Sequence, residues 1–408
     1  MALPDIHSGR SQYIIVGCMK QPKACPAEAL TRRRIPFLLV VLIFVGLAPL
    51  FAQKPSTAPE LIAQRPTAPE ARSGIVALPR VHFVATGGTI SNKEGGRLTA
   101  SELAKSMPGV ERFADLSHEQ FTNVASSELS LKDWLGLSRR VNELFATDKD
   151  LAGIVVTSGT DTLEETAFFL HLTVRDPRPV VVVGSMRNPS TVGYEGAANL
   201  LEGVRVAADK QSRNKGALVV LNDEINSARH VTKTDALRLQ TFRSGDYGQL
   251  GVVDRDRVVF FNQITQRHNE QIEFDVEKIT ELPRVDVIMV YQGAPGDLIK
   301  AAVDNGAKGI VIAVAGAGAT SGTQSEGIAY AMSKGVFVVT STRTGSGRIA
   351  PPRTDMPATF KPSPEQMRRR QFMIAGEDHV PVKARVLLML ALTKTNSRDE
   401  IQRIFSEY

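Results

Sequence analysis

Two short polar loops carry hydroxyl groups in a setting suited to nucleophilic chemistry. The first spans residues 86–91 (TGGTIS), and the second spans residues 157–162 (TSGTDT). A threonine hydroxyl becomes an effective nucleophile only when a nearby base takes its proton. Thr89 and Thr160 are the candidate hydroxyls, and Asp161 places a carboxylate beside the second. The two loops therefore predict one site built from hydroxyl groups.

Two more residues could complete such a site. Gly88, one of a glycine pair, allows a sharp turn and the close approach of a ligand. Lys233, in the segment VTKTD at 231–235, could relay protons, because a partly desolvated lysine beside a carboxylate can do so. The alternatives are ordinary strand-to-helix turns with capping threonines and a surface lysine. Sequence alone does not bring Lys233 to Thr160.

The elements that would position these loops are buried strands. Residues 81–85 are a predicted strand before the first loop, and residues 153–157 are one before the second, where Ile154, Val155 and Val156 form a contiguous apolar, β-branched run. A helix follows the second loop, with Thr162 as its predicted N-cap and Glu165 completing a capping box. Ligands bind at such carboxyl ends of parallel strands, where backbone N–H groups converge.

The rest of the chain alternates strands and helices, which predicts an α/β fold with parallel sheets. We expect two Rossmann-like or flavodoxin-like domains, a larger N-terminal one with a parallel-rich sheet and a smaller C-terminal one. Further strands are predicted at 123–126, 180–184, 217–221, 285–291, 309–315 and 336–340, helices at 131–145, 195–208, 384–393 and 398–405, and a hairpin at 252–261. The predicted divisions are a signal peptide at 1–52, a disordered linker at 53–80, the N-terminal domain at 81–262, a polar connection between the domains at 263–283 and the C-terminal domain at 284–408.

The composition argues against several functional classes. The net charge of +6 falls mostly in residues 1–52, whose six basic and two acidic side chains leave +2 for the remainder, so nucleic-acid binding is not expected. Both cysteines also precede residue 53, and the seven histidines are scattered, so no disulfide framework and no metal are indicated. Residues 316–318 (GAG) lack the remaining features of a dinucleotide fingerprint, and no cofactor is expected.

The N-terminal segment has the pattern of an export signal. Three arginines at 32–34 precede an apolar run at 35–47, and the segment 1–52 ends in alanine. This predicts a cleaved signal peptide, a periplasmic or secreted protein, and no membrane attachment after cleavage; the alternative is an uncleaved signal anchor. Residues 53–80 repeat the tetrapeptide TAPE and are too polar to bury a core, so we expect a disordered linker.

From residue 81 to the C-terminus the chain resembles a known family, the bacterial L-asparaginases. The segments that carry the resemblance are ATGGTIS (85–91), NVASSE (123–128), TSGTDTLEET (157–166), VTKTD (231–235) and KARVLLMLALTKT (383–395). They match at five separated places in the same order, and the export signal points to the secreted, type II branch. The resemblance implies an amidohydrolase that converts L-asparagine to L-aspartate and ammonia, and it leaves glutamine open as a second substrate.

The resemblance also implies roles for individual residues. Thr89 would be the nucleophile that forms the acyl-enzyme, and Thr160 with Lys233 would activate a hydroxyl or water. Asp161 would hold the substrate's α-ammonium and Ser126 its α-carboxylate, while backbone N–H groups near both threonines would hold the oxyanion. The implied substrate-binding set is Gly88, Ser126, Ser127, Thr160 and Asp161. Relatives form homotetramers in which a neighbouring subunit completes each site, and no cofactor is implied.

Four positions depart from the family pattern. Leu98 falls near the place of a lid tyrosine, and Ser127 stands where glutamine is common. Ser158 replaces a histidine, and Ala319 replaces an asparagine contributed across a subunit interface. These departures affect the lid and the cross-subunit groups and leave the central threonines, aspartate and lysine in place.

Three other functions are compatible with parts of the sequence. A periplasmic binding protein also has a signal and two α/β lobes, but it needs no Thr–Lys–Asp set. A cytosolic amidotransferase subunit shares the family's fold, but it carries an extra N-terminal domain where this chain has a signal and a linker. An inactive asparaginase-like protein would keep the motifs without the activity. Ammonia release from asparagine separates these alternatives from an asparaginase.

Overall fold

The structure, a computed structural model, describes residues 77–352 and 361–408. The predicted signal peptide and all but the last four residues of the predicted linker lie outside these residues. Arg80, the last linker residue, already begins the first strand. None of the helices within the described ranges combines the length and the apolar character needed to cross a bilayer.

The larger domain contains twelve strands and four α-helices. In chain order they are β1 (Arg80–Gly87), β2 (Asn92–Lys93), β3 (Gly96–Arg97), α1 (Ala100–Lys105), β4 (Asp115–Val124), α2 (Leu131–Thr147), β5 (Leu151–Thr157), α3 (Leu163–Thr173), β6 (Val180–Val183), α4 (Gly196–Ala208), β7 (Ala217–Leu221), β8 (Glu224–Ser227), β9 (Thr232–Lys233), β10 (Phe242–Arg243), β11 (Gly251–Val253) and β12 (Val258–Phe260).

Eight of these strands form one sheet in the order β12-β11-β8-β7-β6-β5-β1-β4. The five neighbouring strands β7, β6, β5, β1 and β4 pair in parallel. Strands β8, β11 and β12 continue the sheet beyond β7 in antiparallel pairings. The four valines of β6 are all buried. Val181 and Val183 pack with α1 and α4 on one face, and Val180 and Val182 pack with α2 and α3 on the other. Helices on both faces explain why the strand is a continuous apolar run.

The smaller domain is a four-stranded parallel sheet with helices on both faces. Its elements are β13 (Val285–Met289), α5 (Asp297–Asp304), β14 (Gly309–Val314), α6 (Gln324–Ser333), β15 (Phe337–Thr342), α7 (Pro364–Phe372), β16 (Met373–Ala375), α8 (Pro381–Lys394) and α9 (Arg398–Glu407), with the strands in sequential order. An apolar cluster joins the two domains, with Phe168 and Phe169 of α3 packed among residues of α8. The predicted class, two α/β domains of unequal size, is confirmed.

Two local predictions are corrected by the structure, and one strand of the larger domain's sheet has no predicted counterpart. A strand predicted at 123–126 is the end of β4, which runs from Asp115 to Val124 along the sheet edge with no fully buried residue. Strand β8 has no counterpart among the predictions. The predicted connection at 263–283 is not wholly polar, because it buries six apolar residues: Ile264, Ile272, Phe274, Val276, Ile279 and Leu282.

Candidate active site

The first threonine loop leaves β1 through two glycines in left-handed conformations. Gly87 and Gly88 have φ angles of +106° and +89°, which disfavour any residue with a Cβ. A Cβ on Gly88 would lie 2.3 Å from the Cα of Gly159 in the second loop. The two loops therefore touch through bare backbone, and Thr89 and Thr160 each follow a residue of this contact.

Thr89 begins a 3₁₀ turn that side-chain hydrogen bonds hold in place. The hydroxyl of Ser91 donates to the carbonyl of Gly88 at 3.0 Å and lies 3.2 Å from the side-chain oxygen of Asn123. The hydroxyl of Tyr194 donates to the carbonyl of Ile90 at 2.9 Å. Thr89 itself is half-buried at the start of the turn, where backbone N–H groups lack partners within the turn. The turn thus presents a hydroxyl and free donors together.

The second loop brings a hydroxyl, a carboxylate and an ammonium into direct contact. Lys233 Nζ donates to Thr160 Oγ1 at 3.0 Å and to Asp161 Oδ1 at 2.8 Å. The Thr160 side chain is buried, whereas the Asp161 side chain is 77 % exposed and that of Lys233 only 16 %. The hydroxyl therefore lies at the bottom of the group, and the carboxylate is open to an incoming cation.

Lys233 reaches this position from a very short strand. It lies on β9, which forms a separate two-stranded sheet with β10. Its backbone N–H donates to Glu164 Oε1 at 3.4 Å, in the first turn of α3. The helix that follows the second loop thus also holds the strand that carries the lysine.

Ser126 packs against the second loop, whereas its neighbour Ser127 is exposed to solvent. Ser126 is buried at the start of a 3₁₀ turn (Ser126–Glu128), and a Cβ on Gly159 would lie 2.8 Å from its Oγ. The hydroxyl of Thr162 donates to the Ser126 carbonyl at 3.0 Å. Ser127 is exposed at the rim. The structure therefore brings six of the seven predicted residues to the junction of three loops and places the seventh beside it.

The predicted capping box at α3 does not form. The Thr162 hydroxyl is used in the contact with Ser126 and makes no side-chain cap. Glu165 instead pairs with Arg385 of α8, with 3.3 Å between the nearest side-chain atoms. Burial raises the pKa of Glu165 to about 7, and Arg385 offsets only part of that effect. Both residues of the predicted box thus serve contacts beyond the helix, which no local pattern could reveal.

The departures from the family pattern have distinct surroundings. Leu98 packs against the apolar cluster between the sheet and α1, and its N–H donates to the Ser91 carbonyl at 2.6 Å. Ser158 is fully buried. Ala319 is exposed on a loop of the smaller domain. In the described ranges, no three histidine, cysteine or acidic side chains are grouped so that they could hold a metal ion.

Comparisons with known proteins identify the family. The family model described as "Asparaginase, N-terminal" matches residues 80–266, and "Glutaminase/Asparaginase C-terminal domain" matches residues 284–405. This chain belongs to the asparaginase family. L-asparaginase 2 of Bacillus subtilis is 43% identical over 341 residues, covering 81% of this chain and 87% of the relative. L-asparaginase 2 of Escherichia coli is 37% identical over 343 residues, covering 82% and 94%.

A solved structure in the family has the same fold. It is described as a probable cytoplasmic L-asparaginase from Campylobacter jejuni, is 38% identical, and covers 81% of this chain and 100% of its own, with a TM-score of 0.72. The two ranges that match the family models contain all five segments that carry the resemblance. Three contacts at the site were not predicted from the sequence: those of Thr162, Glu164 and Tyr194.

Proposed function

We propose that this protein hydrolyses L-asparagine to L-aspartate and ammonia, with L-glutamine as a secondary substrate. The observation that carries the proposal is the pair of hydrogen bonds from Lys233 to Thr160 and Asp161, beside the loop of Thr89. A relative from Pseudomonas fluorescens named glutaminase-asparaginase, 35% identical over 341 residues, supports the second substrate.

The proposed mechanism divides the reaction between the two loops. The Thr89 oxygen attacks the side-chain amide carbon and loses its proton, the C–N bond breaks, and ammonia leaves with that proton. Backbone N–H groups near Thr89 stabilise the oxyanion. Thr160 and Lys233 then activate a water that attacks the ester, releasing aspartate and restoring the Thr89 hydroxyl.

We assign the binding and orientation of the substrate to residues on the solvent-open side of the site. Asp161 has the exposed carboxylate that an α-ammonium requires, and Ser126, beside Gly159, is assigned the α-carboxylate. Gly88 lets the substrate approach the backbone, and Ser127 contacts it from the rim. Because the α-ammonium and the α-carboxylate are both on the α carbon, holding these two groups would leave the side-chain amide to face Thr89.

Ammonia release by the purified protein tests this function. We expect release from asparagine faster than from glutamine, and near-complete loss in Thr89→Ala. A folded parent protein that releases ammonia from neither amide would refute the proposal. Binding of asparagine without turnover would then favour the binding-protein alternative.

We infer that the protein assembles as a homotetramer with sites completed by a neighbouring subunit. Strand β13 forms one edge of the smaller sheet and exposes Val287 and Met289. Tyr291, two residues beyond the strand, and Leu298 of α5 are exposed as well. Burial of such a patch in an interface would stabilise an assembly. Light scattering should give a mass near four chains, and a stable, fully active monomer would contradict this inference.

We also propose that the protein is exported and acts in the periplasm or outside the cell. The basic and apolar N-terminal pattern supports this, as does a Haemophilus influenzae relative named "Probable L-asparaginase periplasmic", 35% identical over 340 residues. N-terminal sequencing of exported protein should begin near Gln53. An intact N-terminus on active cytosolic protein would refute the proposal.

A further inference from the structure

A buried lysine of the smaller domain has no place in the mechanism above. Lys383 lies in the first turn of α8 and is 1% exposed. Its Nζ lies 5.6 Å from the ring centre of Phe168, and burial lowers its pKa to about 7. A lysine in such surroundings is costly to retain unless its ammonium donates hydrogen bonds.

The hydrogen bonds of Lys383 go to the segment that leads into β9. Its Nζ donates to the carbonyl of Arg229 at 3.1 Å and also to the carbonyl of Val231. Val231 is fully buried and lies two residues before Lys233. A side chain of the smaller domain therefore hydrogen-bonds to the backbone just before Lys233, the lysine that contacts Thr160.

Glu164 contacts strand β9 itself. Its Oε1 accepts the Lys233 N–H at 3.4 Å, its side chain is buried, and its Oε2 has no hydrogen-bond partner in the described part of the chain. The Glu164 carboxylate favours the charged form of Lys383, whose pKa it raises against the effect of burial. Two buried groups of opposite charge thus contact the backbone of β9 and of the segment just before it.

Strand β9 needs such support because the sheet does not supply it. It is two residues long and pairs with the equally short β10 in a separate two-stranded sheet. A misplacement of about 1 Å at a reacting group can cost roughly a hundredfold in rate. Any shift of this backbone would move Lys233 Nζ away from both Thr160 and Asp161.

We propose that Lys383 of the smaller domain, together with Glu164, is a positioning residue. The two side chains hold the backbone at and before β9, and this fixes the distance of Lys233 Nζ from Thr160 and Asp161. The inference rests on the proposed function, in which Lys233 activates a hydroxyl or water. It extends that function by assigning to the smaller domain a part in placing the catalytic lysine within one subunit.

Lys383→Met tests the inference, because methionine keeps the apolar stem and removes the ammonium. We expect kcat for asparagine to fall by roughly 10- to 100-fold, with a smaller change in KM. The matched control is Arg139→Met, since Arg139 also donates to two backbone carbonyls, those of Val276 and Ile279, but in the segment between the domains. The control should keep the parent kcat.

A double-mutant cycle separates positioning from general destabilisation. In a Lys233→Met background, adding Lys383→Met should cause no further loss of the residual rate, because its effect acts through Lys233. Losses that multiply in the double variant would overturn the inference. Each variant is assayed at a temperature where circular dichroism shows it folded.

Glu164→Met provides a second route if Lys383→Met does not fold. It removes the acceptor of the Lys233 N–H and should show the same fall in kcat and the same lack of additivity with Lys233→Met. Parent-like kcat in folded Lys383→Met or Glu164→Met would refute positioning while leaving the asparaginase proposal intact. A parent protein without ammonia release would instead refute the proposed function itself.

Discussion

Replacing Lys233 by methionine should separate catalysis from stability. The Lys233–Asp161 ion pair is 2.8 Å long, but the aspartate is largely exposed, and such pairs contribute about 0–1 kcal/mol to the free energy of unfolding. The hydrogen bond to Thr160 adds about 1 kcal/mol. Loss of a general base costs about 10²–10⁴-fold in rate, which corresponds to roughly 3–5 kcal/mol in the activation barrier. We therefore expect a nearly inactive protein with stability lowered by at most about 2 kcal/mol.

Two measurements on the same preparation test this expectation. Ammonia release from asparagine gives the rate, and urea unfolding gives the free energy of unfolding. Lys278→Met is a matched control, because Lys278 pairs with Asp275 at 3.2 Å on the surface of the segment between the domains. The control should keep both rate and stability. The reasoning fails if folded Lys233→Met turns over asparagine at the parent rate.

Three further changes give distinct outcomes. Thr89→Ala should lower the rate of ammonia release at least about 10²-fold. Adding Thr160→Ala should lower that rate little further, because the two residues act together. A near-parent rate in either folded variant would contradict this joint action. Leu98→Tyr should lower the thermal midpoint without raising kcat, because Leu98 packs against the core and overpacking costs about 1–3 kcal/mol; a higher kcat would contradict this. Burial raises the pKa of Glu165 to about 7. The folded parent therefore binds the extra proton more tightly than the unfolded chain and loses stability as pH rises from about 4.5 to 7. Relative to the parent, Glu165→Gln should gain stability over that range in urea unfolding, and equal differences at pH 5 and pH 8 would contradict the assignment.

The central strands are predictable from the sequence because burial on both faces makes them continuous apolar runs. Strand β6 is four valines, and β7 matches its predicted bounds of 217–221. Edge strand β4 has no such run, since its side chains are only partly covered. Sequence therefore identifies the middle of the sheet and the β11–β12 hairpin at one edge, and misses most of the opposite edge strand, β4.

The candidate site divides in the same way. Local loop composition indicates Thr89, Thr160 and Asp161, because each follows a recognisable strand. Only the family resemblance links Lys233 to them, since it is 73 residues from Thr160 on a strand outside the main sheet. The roles inferred for Glu164 and Lys383 have no local signal, because charged helix residues usually face solvent.

The backbone contact between Gly88 and Gly159 limits how the site can be altered in the laboratory. A Cβ on Gly88 would lie 2.3 Å from Gly159, whereas ordinary contact begins at 3.4 Å. The distance between the two threonine loops is therefore set by direct contact of their backbones. No side chain lies between them that a substitution could make larger or smaller. Libraries aimed at new amide substrates should leave both glycines unchanged and vary rim positions such as Ser127, where a larger side chain meets open solvent.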